Sequence, residues 1–275
     1  MKIILKNRSL LKVSGKDSDE FIQNQFTNDI RKLNHTKVQI NAYCQHQGKI
    51  IALFWVIRMD EALFLSFPAD LLEKIEARLK MFVIMSDVII EDVTNVYKQI
   101  GLINESTTES FRINDSLGLL IEDSKTKVEG LSENELIWNK TCFDSCLPEI
   151  YNQTSEKLVP QMLNLDIDEA GVNFSKGCYP GQEVVARLHY LGSAKRRLFS
   201  FISDHEVSIG DSIYCATSEA ALARGSRYKG TGMVVTKVKY DSLFYCLATL
   251  DEELKDEQIT LNNNHGPILK RINNE

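Results

Sequence analysis

The sequence predicts an α+β fold: an antiparallel sheet backed by a helix, followed by a smaller β-rich unit. Three observations predict it. The middle of the chain strings together short apolar runs around one amphipathic helix pattern. The last third repeats short β-rich runs at roughly ten-residue spacing. The 275 residues, 43% hydrophobic and 25% charged, have the composition of a globular protein with room for about two domains. No apolar run approaches the roughly 18–20 residues of a membrane-spanning helix. Lys+Arg 32 against Asp+Glu 38 leaves a net charge of −6, which argues against a chain built mainly to coat nucleic acid.

Taken in order, residues 3–5 and 10–13 flank Asn7-Arg8-Ser9 and read as a short hairpin. Asp17 to Glu20 reads as a capping box opening a helix that carries Phe21, Ile22 and Phe26. Val38, Ile40, Ala42 and Cys44 alternate with polar residues, the period of a half-buried strand. After the turn Gln47-Gly48-Lys49, residues 50–57 and 62–67 read as paired strands. Pro68 opens a helix whose apolar face is Leu71, Leu72, Ile75, Leu79 and Phe82. Strands are expected at 87–91, 96–103 and 117–121, and a second helix over Glu135–Cys146 stacks Trp138, Cys142 and Cys146. Residues 147–168, with Pro148 and Pro160, lack a regular pattern, as functional or draped segments do. Runs at 197–203, 211–216, 232–239, 243–250 and 267–272 then suggest a small barrel or sandwich.

The six cysteines scatter through the chain with no CxxC pair, unlike a disulfide framework, and nothing near Met1 reads as an export signal. A reducing cytoplasm is the expected compartment. Cys142 and Cys146 at i, i+4 suit either a metal pair or packed thiols, but no Cys/His zinc spacing occurs and no metal site is expected. P-loop, HExxH and GxSxG motifs are absent, and Gly230-Thr231-Gly232 leads into a strand pattern rather than a nucleotide-binding helix.

The densest segment is 176–187, Lys-Gly-Cys-Tyr-Pro-Gly-Gln-Glu-Val-Val-Ala-Arg. Two glycines and a proline within five residues build a tight turn, and Pro180 suits the first turn of a helix on which Glu183 and Arg187 face each other. Cys178, just ahead of that helix and close to Lys176, would then sit in a positive field that favours the thiolate. It is either a reactive group on a rigid loop or a thiol packed under Tyr179.

This segment resembles the K-G-C-Y-x-G-Q-E signature of the YgfZ family, folate-binding relatives of the glycine-cleavage aminomethyltransferase. Val13-Ser14-Gly15-Lys16-Asp17, Phe21, Gln25 and Thr27-Asn28-Asp29 resemble the family's N-terminal pattern, and Gln47-Gly48-Lys49-Ile50 its G-K turn. Pro160-Gln161 with Asn164-Leu165 resembles its P-Q-x-x-N-L stretch, and Gly192-Ser193-Ala194-Lys195-Arg196 its closing G-x-x-K-R. The resemblance implies a three-module aminomethyltransferase-like fold: a discontinuous folate-binding domain (1–46 plus 135–195), a ferredoxin-like α+β domain (47–134) and a C-terminal β-barrel (196–275). It implies tetrahydrofolate or a derivative as cofactor, and support of iron–sulfur cluster assembly or repair in client enzymes, including those that thiomethylate tRNA. A true aminomethyltransferase is the alternative.

Carried over by position, Cys178, Lys176 and Glu183 form the candidate functional group, with Gly177, Tyr179, Gly181 and Gln182 completing the motif. Trp138 falls where the family places an aromatic against folate, an indole suited to stacking on a flat ring; an ordinary core tryptophan is the other reading. Arg8 stands where some members carry a second tryptophan, and its guanidinium would stack or meet the glutamate tail. Lys195-Arg196-Arg197 is either an anion or RNA contact or a solvated strand edge. Direct nucleic-acid binding is not expected, since no basic stripe is interleaved with aromatics.

Overall fold

The computed structural model describes residues 1–192, 194–215, 231–263 and 265–272; Ser193, Ala216 and Gly230, named above, lie outside them. In chain order the elements are β1 (Lys2–Ile4), β2 (Arg8–Ser14), α1 (Ser18–Gln25), β3 (Gln39–Cys44), β4 (Ile50–Met59), β5 (Ala62–Pro68), α2 (Leu72–Met81), β6 (Ile89–Asp92) and β7 (Tyr97–Ile103). They continue as β8 (Phe111–Arg112), β9 (Leu117–Asp123), β10 (Leu131–Ser132), α3 (Glu135–Asp144) and α4 (Gln182–Tyr190). The last six strands are β11 (Arg196–Ser203), β12 (Ser212–Cys215), β13 (Gly232–Tyr240), β14 (Leu243–Asp251), β15 (Ile259–Leu261) and β16 (Ile268–Ile272).

The strands divide among two open sheets, β3-β4-β5-β2-β6 and β10-β1-β7-β9-β8, and a closed barrel, β11-β14-β13-β12-β15-β16. Strand β4 explains the unbroken apolar run Ile50–Ile57. Phe54 and Val56 enter one core with Phe26 and Phe67, while Trp55 and Ile57 enter a second with Phe64 and Trp138. A strand covered on both faces needs no polar alternation. Closure of the C-terminal unit leaves the barrel without a free edge. No helix among the described residues is long and apolar enough to cross a membrane.

Several sequence expectations change. The predicted hairpin at 3–5 and 10–13 does not form. β1 pairs with β7 and β10, whereas β2 pairs with β5 and β6, so the polar triplet Asn7-Arg8-Ser9 marks a crossing between sheets. Asp17 makes no side-chain cap on α1; its Oδ2 instead accepts from the Asp87 N–H at 2.8 Å. The expected limit at 46/47 falls in the turn between β3 and β4, which pair from Gln39↔Val56 to Cys44↔Ile50, so one sheet runs across it. Helix α3 is capped by Asn134 and ends at Asp144, leaving Cys146 beyond it at φ 51°, its sulfur 3.6 Å from Ser200 Oγ. Phe82, assigned to the buried face of α2, is 42% exposed because that helix ends one residue earlier.

Candidate functional site

Two places gather the sequence-predicted residues, and they are distinct. The first is the bend ahead of α4. Tyr179-Pro180-Gly181-Gln182 is a type II turn: Gly181 has φ 84° and ψ 0°, and the Gln182 N–H donates to Tyr179 O at 3.2 Å. Pro180 therefore precedes the helix cap rather than sitting in the first helical turn. A Cβ on Gly181 would lie 2.4 Å from Gln45 O, so only glycine lets the bend settle on the β3–β4 turn.

Cys178 is exposed on this bend, while Tyr179 is buried and its hydroxyl is pushed well above the usual phenol range by that burial. Lys176 does not serve the thiol. The residue is 6% exposed and its ammonium donates to Gln23 O (2.5 Å), Asn28 O (3.1 Å) and Phe26 O, which takes up all three of its protons at the C-terminal end of α1. Burial lowers its pKa to about 8. Glu183 is exposed and pairs with Arg187 at 3.0 Å, as its i, i+4 spacing predicts. Gly177 is exposed with open space around it, and Gln182 is half-buried at the start of α4.

The scattered motifs converge on this bend. Thr27 and Asn28 hold the turn that receives Lys176: Thr27 Oγ1 donates to Gly171 O at 2.6 Å, and Asn28 N–H donates to Asn41 Oδ1 at 3.0 Å. Gln161 Nε2 donates to Val185 O in α4 at 2.7 Å. Asn164 pairs with the backbone of Leu198 in β11, and Arg197 donates to Asp166 at 2.6 Å and to Gln161 O at 2.9 Å. Arg197 is therefore an internal tie, not a free anion contact.

The second place is a cavity of about 270 Å³ between the two sheets, α3 and the barrel. Arg8, Trp55, Trp138, Cys142, Glu149 and Tyr151 line it, and residues 176–183 do not. Along β4 alone, Ile50 near the bend and Trp55 at the cavity stand about 16 Å apart at ~3.3 Å per residue. Trp138 is 3% exposed and meets Trp55 edge to face at 6.1 Å between centroids. It packs over Gly101, where a Cβ would come within 2.4 Å of the indole.

Arg8 sits where the chain crosses between sheets. Its guanidinium lies 3.7 Å over Trp55, Nε donates to Ser66 Oγ at 2.8 Å, and Nη1 donates to Glu149 Oε1. Ser66 donates to Gln99, whose amide returns to Arg8 O at 3.2 Å. Arg8 Nη2 and Glu149 Oε2 are buried without a partner, an omission that costs about 1–3 kcal/mol for each such atom. Burial raises the Glu149 carboxyl against the opposing pull of Arg8; burial likewise raises the Cys142 thiol and the Tyr151 hydroxyl. Sequence reasoning missed Glu149. Its one signal was a carboxylate set between Leu147-Pro148 and Ile150 in a stretch without pattern.

The fold is that of the aminomethyltransferases. The chain matches glycine cleavage system aminomethyltransferase T from Bartonella henselae with a TM-score of 0.71 over 98% of this chain and 84% of that one, at 10% identity, a likeness of fold alone. No protein-family model matches the chain. It is 28% identical over 278 residues to an uncharacterized protein of Haemophilus influenzae, covering 98% of this chain and 96% of that one. It is 28% identical to the tRNA-modifying protein YgfZ of Colwellia psychrerythraea (74% of this chain, 72% of that one) and 26% identical to that of Aliivibrio fischeri (92% and 86%). The chain is thus similar along most of its length to the YgfZ proteins.

Proposed function

We propose that the protein is a tetrahydrofolate-binding accessory factor supporting assembly or repair of iron–sulfur enzymes, among them enzymes that modify tRNA. The observation that carries the folate part is the cavity lined by Trp55 and Trp138 together with Arg8 and Glu149. Aromatic walls with a few fixed polar groups suit a flat heterocycle, and about 270 Å³ suits a bicyclic ring better than a whole folate. Trp138 is assigned the stacking role. Cys178 is assigned the reactive role, on an exposed bend outside the cavity lining, where a macromolecular client reaches it. The client class rests on the YgfZ relatives, whose name ties them to tRNA modification.

Tetrahydrofolate titration followed by tryptophan fluorescence tests the binding. The wild type should give a saturable change, and Trp138→Phe should lose most of it while leaving the Trp55 emission. No saturable response in the wild type would overturn the assignment.

A further inference from the structure

Helix α2 runs into Met81-Phe82-Val83-Ile84-Met85, and all of these apolar residues except Val83 are exposed. Met81, Ile84 and Met85 are 72%, 71% and 104% exposed, and Ile89, at the start of the edge strand β6, follows at 54%. Apolar groups exposed this densely mark a contact surface, whereas scattered ones do not. The display is held in place. Val83 packs on the core, and Asp17 and Asp87 tie the loop to the start of α1: Asp17 N–H donates to Asp87 O at 3.1 Å, and Asp87 N–H donates to Asp17 Oδ2 at 2.8 Å. Beside the loop lies a groove of about 400 Å³, lined by Phe82 from the loop and by Asp17, Glu20, Phe21 and Asn24 from α1 and its start. Among the described residues its lining holds two carboxylates and no basic side chain. Neighbouring Asp19 is paired with Arg58, but Asp17 and Glu20 have no cationic partner among the described residues.

We propose that this loop and groove dock a partner polypeptide segment in which an arginine stands between apolar residues. The guanidinium enters the groove to meet Asp17 and Glu20 with its flat face toward Phe82, and the flanking apolar side chains cover Ile84 and Met85. Methionines suit such a surface because they adapt to whatever is laid on them. An arginine suits the groove because its planar donors serve two carboxylates and its face serves an aromatic ring. Other occupants fit worse. A second copy of the chain would bring two such carboxylate pairs together, with Asp87 and Asp92 exposed beside the patch adding to the repulsion. A nucleic-acid backbone or an anionic membrane meets the same repulsion. The groove also shares an element with the bend that bears Cys178. Asn24, in the last turn of α1, lines it, and the Gln23 and Phe26 carbonyls at that end of the helix hold Lys176, two residues before Cys178. The proposal goes beyond the function proposed above and requires neither folate binding nor a reactive thiol.

Fluorescence polarisation with two dye-labelled peptides tests this: Leu-Arg-Leu-Arg-Leu, and the same peptide with citrulline, which keeps the shape and removes the charge, at both arginines. The wild type should bind the arginine peptide saturably and the citrulline peptide about tenfold more weakly or worse. Two variants altered only at exposed side chains, Ile84→Ser with Met85→Ser and Glu20→Gln, should each weaken the arginine peptide about fivefold or more. Glu129→Gln, an exposed carboxylate in the loop between β9 and β10, should stay within about twofold of the wild type. No saturable binding by the wild type would overturn the proposal, and so would an equal loss in Glu129→Gln, which would reduce the contact to the general attraction of an acidic protein. A wild-type dimer in sedimentation velocity that the Ile84→Ser, Met85→Ser variant dissociates would give the patch to a second copy instead. Co-sedimentation of the wild type, but not of that variant, with phosphatidylcholine vesicles would give it to a membrane.

Discussion

Gly48 and Gly181 meet backbone to backbone: a Cβ on Gly181 would stand 2.8 Å from the Cα of Gly48. Both residues lie at positive φ, 73° and 84°. One belongs to the turn between β3 and β4 and the other to the bend bearing Cys178. Two motifs far apart in sequence are thus one structural joint, and the exposed thiol stands on a mount with little freedom to move.

Gly181→Ala should be severely destabilising. The left-handed backbone alone costs a residue with a Cβ about 1–2 kcal/mol, and here the Cβ also meets main-chain atoms that cannot rotate aside. A loss of at least about 2 kcal/mol is expected from urea unfolding. Gly177→Ala is the control, with open space around its position, and should stay within about 0.5 kcal/mol. Equal effects at the two positions would refute the joint.

Cys178→Ala should separate the two places. The side chain is exposed and lies outside the cavity lining. Stability should change by less than about 0.5 kcal/mol, and calorimetric folate affinity should match the wild type. Cellular function should be abolished. Full complementation of a deletion strain by the alanine variant would remove the thiol from the mechanism.

Gly101→Ala should do the reverse. Its Cβ would fall 2.4 Å from the Trp138 ring, which must then move. Folate affinity should drop about tenfold and the tryptophan emission should shift, while alkylation of Cys178 by iodoacetamide keeps its wild-type rate. An unchanged affinity would show that the position of Trp138 does not matter to the ligand.

These separations could not be read from the sequence, although most of their parts could. The elements were legible because strands such as β5 and β7 and helix α2 carry their periodicity locally. Partner choice was not: two apolar runs around Asn7-Arg8-Ser9 look alike whether they pair with each other or join different sheets, and the actual partners lie at 63–68 and 100–102. Cys178 and Trp138 were recognisable one by one, through motif and position. That they stand apart depends on the course of β4, and Glu149 becomes visible only when the chain crossing brings Arg8 to it. Lys176 was misread for a related reason. Nearness in sequence put its charge beside Cys178, but the carbonyls left unpaired at the end of α1 claim it.

Lys176 supplies a prediction in pH. Its ammonium is buried against carbonyls, and burial lowers its pKa from 10.5 to about 8, with Asp29 opposing the change. Between those values the unfolded chain holds a proton that the folded protein has released, so the unfolding free energy rises with pH, by at most about 1.4 kcal/mol per unit. Below pH 8 both states are protonated and the contribution is flat. Lys176→Met has no proton to release, and it also leaves the carbonyls of Gln23, Phe26 and Asn28 without this donor, so its absolute stability is a poor guide. The difference in slope is the useful quantity. Urea unfolding of wild type and variant at pH 7.5, 8.5 and 9.5 should give a gap that widens in favour of the wild type as pH rises. A constant gap would mean that the three carbonyls and Asp29 hold the proton as tightly as water does, with the ammonium intact across the whole range.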